Sequence, residues 1–131
     1  MAELTPDQLK LIEETNLAHL VTLMKDGSPQ VTPVWVDHDS THILVNTAEA
    51  RQKTRNLTRD PRVALSIVDN GNAFRTFQVR GRVVEITREG AWEHINKLAR
   101  KYMGRDAQYP ERPGEVRIIL KIEPEHISGR I

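Results

Sequence analysis

Lys25-Asp26-Gly27-Ser28 restricts the fold of this chain more than any other stretch. An Asp-Gly pair between two β-rich runs closes a tight hairpin, because glycine accepts the positive φ that such turns need. Residues 19–24 (HLVTLM) and 30–36 (QVTPVWV) are therefore read as neighbouring antiparallel strands. Pro33 removes a backbone donor from the second of them, which predicts an edge position or a bulge. A second turn over residues 37–41 leads to ILVNT at 43–47, and the three strands form a meander.

The rest of the chain extends this frame. Thr5, Pro6 and Gln8 make a capping box with proline at N1, and Leu4 and Leu9 fall at the staple positions. A short helix over residues 6–14 follows from them. Residues 50–60 predict a second helix, stopped by Pro61. Residues 63–68 (VALSIV) and 76–86 (TFQVRGRVVEI) predict strands joined through Asp69-Asn70-Gly71-Asn72, with a bulge or bend at Gly81. Thr87 caps a third helix over 88–103, whose periodicity puts Trp92 and Tyr102 in the core and His94 on the outer face. A loop rich in proline and glycine precedes a last strand at 116–122 and a short tail. Six mostly antiparallel strands flanked by three helices predict a small α+β barrel, since closure hides sheet edges.

Composition excludes several classes of function. The 131 residues form one expected domain, 1–131, large enough for a real core. Lys and Arg number 19 against 18 Asp and Glu, a net charge of +1, which argues against nucleic acid or a membrane surface as partner. Without cysteine there is no disulfide, thiolate-bound metal or cysteine nucleophile. The polar N-terminus lacks a signal-peptide core and no apolar run is long enough to span a bilayer, so a cytoplasmic location is expected. His38 and His42 flank a turn without a third ligand nearby, and no metal site is expected. GxSxG, Walker A and GxGxxG patterns are all absent.

Residues 51–62 (RQKTRNLTRDPR) stand apart, with five cations and one anion inside a chain of net charge +1. A solvated helix face is the plain reading of such a run. Its position offers another. Arg51 and Lys53 fall in the first turn of a helix that directly follows a strand, where free backbone N–H groups and the helix dipole already favour an anion. A guanidinium and an ammonium added there make a phosphate site without a glycine-rich loop.

The order of strand, Asp-Gly turn, QVTPVWV, ILVNTAEARQKTRNLTRDPRVALSIVD, GRVVEI and amphipathic helix resembles the pyridoxamine 5′-phosphate oxidase-like split-barrel family. More narrowly it resembles the short flavin/deazaflavin (F420)-dependent oxidoreductases, and the terminal EPEHISG agrees with them. The resemblance implies a six-stranded split β-barrel that forms a homodimer with cofactor sites in the dimer cleft. It implies that Thr32, Pro33, Val34 and Trp35 lie beside the flavin or deazaflavin ring, with Asn46 and Thr47 near the ribityl chain. Arg51 and Lys53 would then bind its phosphate, Thr54 and Asn56 would complete that pocket, and Phe74 and Phe77 would approach the cofactor. The long C-terminal extension that carries substrate-binding Arg and His residues in true pyridoxamine phosphate oxidases has no counterpart here. That points to the deazaflavin branch rather than to vitamin B6 oxidation.

The resemblance thus implies an oxidoreductase that uses reduced coenzyme F420 to pass a hydride to a small unsaturated or quinone-like molecule. Such a cofactor carries the hard chemistry, which fits the lack of any acid–base pair or nucleophile in the sequence. FMN bound by the same fold is the alternative, since both cofactors carry a ribityl phosphate. A non-catalytic carrier of flavin, deazaflavin or haem is a third reading, and no histidine is placed as a haem ligand.

Overall fold

A computed structural model describes Met1–Ile131. The elements in chain order are α1 (Pro6–Glu13), β1 (Ala18–Leu23), β2 (Pro29–Val34), β3 (Asp37–His38), β4 (Ile43–Ala48), α2 (Gln52–Arg59), β5 (Arg62–Asp69), β6 (Asn72–Thr87), α3 (Ala91–Met103) and β7 (Arg117–Gly129). All seven strands join one antiparallel sheet in the order β2-β1-β5-β6-β7-β4-β3, curled as the half-barrel of a split-barrel fold. The fold is α+β with three helices, as the sequence predicts, but with one strand more.

The local signals act as read. Gly27 has a φ of 86°, Asp26 Oδ1 accepts from the Ser28 N–H at 2.9 Å, and β1 and β2 pair from Leu23↔Pro29 to Ala18↔Val34. Strand β2, with Pro29 and Pro33, lies at the sheet edge. Thr5 and Gln8 form the reciprocal capping box at the start of α1. The β6–β7 register shifts between Arg80 and Gly81, where Gly81 faces Pro124.

Five expectations need correction. The turn at 37–41 contains β3, a two-residue strand paired to Leu44 and Ile43, which is the seventh strand. The tail after residue 122 is no tail: β7 runs on to Gly129, pairing Glu123–Gly129 with β6. Helix α3 starts at Ala91 behind Gly90, whose φ of 72° ends the approach from Thr87. His94 does not face outward, since its side chain is only 9% exposed, while Trp92 is 37% exposed rather than core.

The core packs Leu20, Ile43, Ile67, Phe77, Ile118, Leu120 and Ile122 of the sheet together with Leu11 and Ile12 of α1. Helix α3 buries Ala91, Ile95, Leu98 and Ala99 against the β4–β7 region. Fully burying such aliphatic side chains stabilises by about 1.5–3 kcal/mol each. The packing fixes the spatial relation of α3, β4 and β7, which carry Ile95, Asn46, Thr47 and Arg117 of the candidate site. No helix is long and apolar enough to cross a membrane.

Candidate functional site

A cleft of about 350 Å³ is lined by Leu17, Pro33, Val34, Trp35, Asn46, Thr47, Arg51, Lys53, Ile95, Tyr109 and Arg117. Each side chain reaches it for a local reason. Strand β4 carries Asn46 and Thr47 and ends at Ala48, whose carbonyl accepts from the Arg51 N–H at 3.1 Å and the Thr54 hydroxyl at 2.9 Å. These two bonds turn the chain into α2, with Arg51 as the N-cap residue and Lys53 in the first turn. Strand β7 pairs with β4 so that Arg117 lies opposite Ala48, diagonal to Asn46 on the same face.

Arg51 and Lys53 make no side-chain hydrogen bond or ion pair, although α2 has no acidic residue in its first turn and Lys53 is only 8% exposed. Burial lowers the Lys53 ammonium pKa, and the charges of Arg51 and Arg117 lower it further. Three cations are thus held in one cleft. Only Arg117 is paired, with Glu115 at 3.0 Å. Concentrating unneutralised positive charge at a helix start is costly without a ligand and favourable with a bound anion.

The aromatic wall is pinned from behind. Trp35 stacks on Tyr102 with centroids 5.2 Å apart and planes 5° from parallel, and meets Tyr109 edge-on at 6.2 Å. The Val36 N–H donates to the Tyr102 hydroxyl, which donates to the Asn16 carbonyl at 2.7 Å. Burial raises the Tyr102 pKa, which keeps the hydroxyl a donor. Lys101 donates to the carbonyls of Ile12 and Val36 at 2.5 and 2.8 Å. Burial outweighs Asp37 and brings the Lys101 pKa down to about 8.

Pro33, Val34, Trp35, Asn46, Thr47, Arg51 and Lys53, all singled out in the sequence, come together in this cleft. The other candidates lie elsewhere. Thr32 sits on edge strand β2 opposite Leu20 and outside the cleft. Thr54 is spent on the Ala48 carbonyl, and Asn56, with no exposed surface, donates to the Thr22 hydroxyl at 3.0 Å. Both order the β4–α2 turn and α2 rather than lining a phosphate pocket. Phe77 is wholly buried in the core and does not line the cleft, while Phe74 is 70% exposed under the Arg130 guanidinium and is not part of the lining either. Leu17, Ile95, Tyr109 and Arg117 were not singled out. Arg117 leaves a trace in the sequence as a lone cation opening the apolar run IIL, whereas Tyr109 lies in an irregular loop without periodicity.

The pyridoxamine 5′-phosphate oxidase family matches this chain over residues 4–130, and the chain belongs to that family. Among solved structures, an F420 reductase is 32% identical and superposes with a TM-score of 0.80 over 91% of this chain and 94% of its own. A conserved hypothetical protein from Mycobacterium tuberculosis is 21% identical, with a TM-score of 0.72 over 97% of this chain and 84% of its own. General Stress Protein 26 from Bacillus anthracis is 20% identical, with a TM-score of 0.67 over 90% of this chain and 86% of its own. The first supports an oxidoreductase of the flavin or F420 type, and the other two show the shared fold.

Proposed function

We propose that this chain is a cytoplasmic, homodimeric oxidoreductase that uses reduced coenzyme F420 to deliver a hydride to a small unsaturated or quinone-like substrate. One observation carries the reading: Arg51 and Lys53 have no counter-ion and share with Arg117 a cleft that Pro33, Val34 and Trp35 also line. Its similarity to an F420 reductase supports the choice of cofactor. The donor set fits a ribityl phosphate beside a planar ring.

When bound, the deazaflavin supplies the hydride. The protein binds, orients and excludes water. Arg51 would grip the phosphate as a fork and Lys53 as a point charge. Asn46 and Thr47 would serve the ribityl chain, and the backbone at Pro33–Val34–Trp35 the ring. Trp35, held by Tyr102 and Tyr109, gives that stretch a fixed position. A second copy would cover edge strand β2, which exposes Val31 at 59%.

FMN carries the same phosphate, so colour and turnover separate the two cofactors. Purified protein should be colourless and should oxidise reduced F420 when a quinone or nitro compound is supplied. Yellow protein that retains FMN and leaves reduced F420 untouched would assign the site to FMN. Tight F420 binding without turnover of any acceptor would make the protein a carrier.

A further inference from the structure

A line of hydrogen bonds runs from the cleft wall, at Arg117 and Asn46, into the protein behind it. Arg117 Nε donates to Asn46 Oδ1 at 3.0 Å. Asn46 Nδ2 lies 2.8 Å from the Ala91 carbonyl and 3.2 Å from His94 Nδ1. His94 Nε2 lies 3.0 Å from Asp37 Oδ2, which also accepts from Lys97 at 3.1 Å. Side-chain exposure is 6% for Arg117, 9% for His94 and 14% for Asp37. Four elements, β3, α3, β4 and β7, are joined by this line.

Its polarity is fixed. The Asn46 amide has two hydrogens and each has one acceptor, so His94 Nδ1 presents a lone pair and the ring proton sits on Nε2. Asp37 accepts that proton's hydrogen bond and selects the tautomer. Reversing the amide would aim its NH₂ at Arg117 Nε and its oxygen at the Ala91 carbonyl, two like pairs in a buried place.

We propose that His94 is a positioning residue for the anion-binding cleft: through Asn46 it fixes the Arg117 guanidinium in the cleft wall. This rests on the reading of the cleft as an anion site. The charged groups around the ring are Asp37 on β3, Lys97 and Lys101 on its own helix, and Arg117 beyond Asn46 on β7. Where no acceptor stands at the Nδ1 position, the Asn46 amide is free to turn away, and Arg117 keeps only its contacts to Glu115 and Tyr109.

Sulfate is the probe, because it tests the anion site alone, without ring or ribityl chain. His94→Asn places an oxygen where Nδ1 was and keeps the acceptor for Asn46. His94→Gln places its amide nitrogen where Nε2 was, keeping the bond to Asp37 but losing that acceptor. At pH 8, wild type and His94→Asn should bind sulfate within about twofold of each other, and His94→Gln roughly five- to tenfold more weakly, the effect of one hydrogen bond. In the ligand-free proteins, the NMR resonances of the Asn46 side-chain amide and Arg117 Nε–H should stay at their wild-type positions in His94→Asn and move together in His94→Gln. Wild-type affinity in His94→Gln, or an Arg117 Nε–H resonance unmoved there, would overturn the proposal. The ring-nitrogen shifts of wild-type His94 at pH 8 need no substitution: a bare Nδ1 and a protonated Nε2 are expected, and a proton on Nδ1 would overturn the proposal even where a variant does not fold. Wild type that binds no sulfate would refute the anion site instead, and the ligand-free resonances would still decide the coupling of His94 to Arg117.

Discussion

Arg51 and Lys53 are held in place by the β4–α2 turn but have no partner of their own, and that asymmetry sets the effect of removing them. Arg51→Ala and Lys53→Ala should each weaken cofactor binding by about 1.5–3 kcal/mol, the range for hydrogen bonds to charged groups. The melting temperature of the ligand-free protein should not fall, because Lys53 is disfavoured as a cation by burial and by its neighbours Arg51 and Arg117. Calorimetric titration and melting curves of the same samples check both halves. Asp37 behaves in the opposite way. Burial pushes its carboxyl pKa up, but hydrogen bonds from His94, the His38 backbone and Lys97 outweigh it and hold the group well below the usual range. A carboxyl depressed in the fold contributes stability above its unfolded pKa of about 3.9 and loses that contribution as pH falls through the folded value. Asp37→Asn should cost about 1–3 kcal/mol at pH 7, and its unfolding free energy should fall less than that of wild type as pH drops below about 4. Parallel pH profiles would contradict this role for Asp37.

Among the elements, β6 and β7 depend most on a single residue. A Cβ at Gly81 would collide with the Glu123 carbonyl at the register shift, where no flexible side chain can yield. Gly81→Ala should therefore destabilise by about 2 kcal/mol or more in urea unfolding. This bulge was legible in the sequence as a glycine interrupting an alternating strand, and the hairpin and the α1 cap were legible because their chemistry is local. The missed pieces depend on distant partners. Strand β3 is two polar residues made extended by Leu44 and Ile43. The second half of β7 carries Glu, Pro and His, no strand signal of its own, and is ordered by pairing with β6. The resemblance puts Phe77 near the cofactor, yet it shares the inward alternation of Val79 on β6. His94 was misplaced because helical spacing marks an apolar face and does not show a buried carboxylate and amide waiting beside it.

For the whole molecule, the proposed function places a second copy against edge strand β2. Sizing chromatography at micromolar concentration should give about 30 kDa, twice the 15.0 kDa chain. Cofactor bound between subunits stabilises the dimer by mass action, so dissociation on dilution should be suppressed when it is present. A 15.0 kDa species that binds cofactor at full strength would contradict the shared cleft. The central claim, a phosphate-anchored deazaflavin site at Arg51 and Lys53, is tested most directly by titrating F420 and FMN side by side into wild type and the Arg51→Ala/Lys53→Ala double variant. The account predicts quenching of F420 fluorescence with tighter binding than FMN in wild type, and loss of that binding in the double variant with its fold intact. Equal affinity in the two proteins, or no F420 binding by wild type, would contradict it.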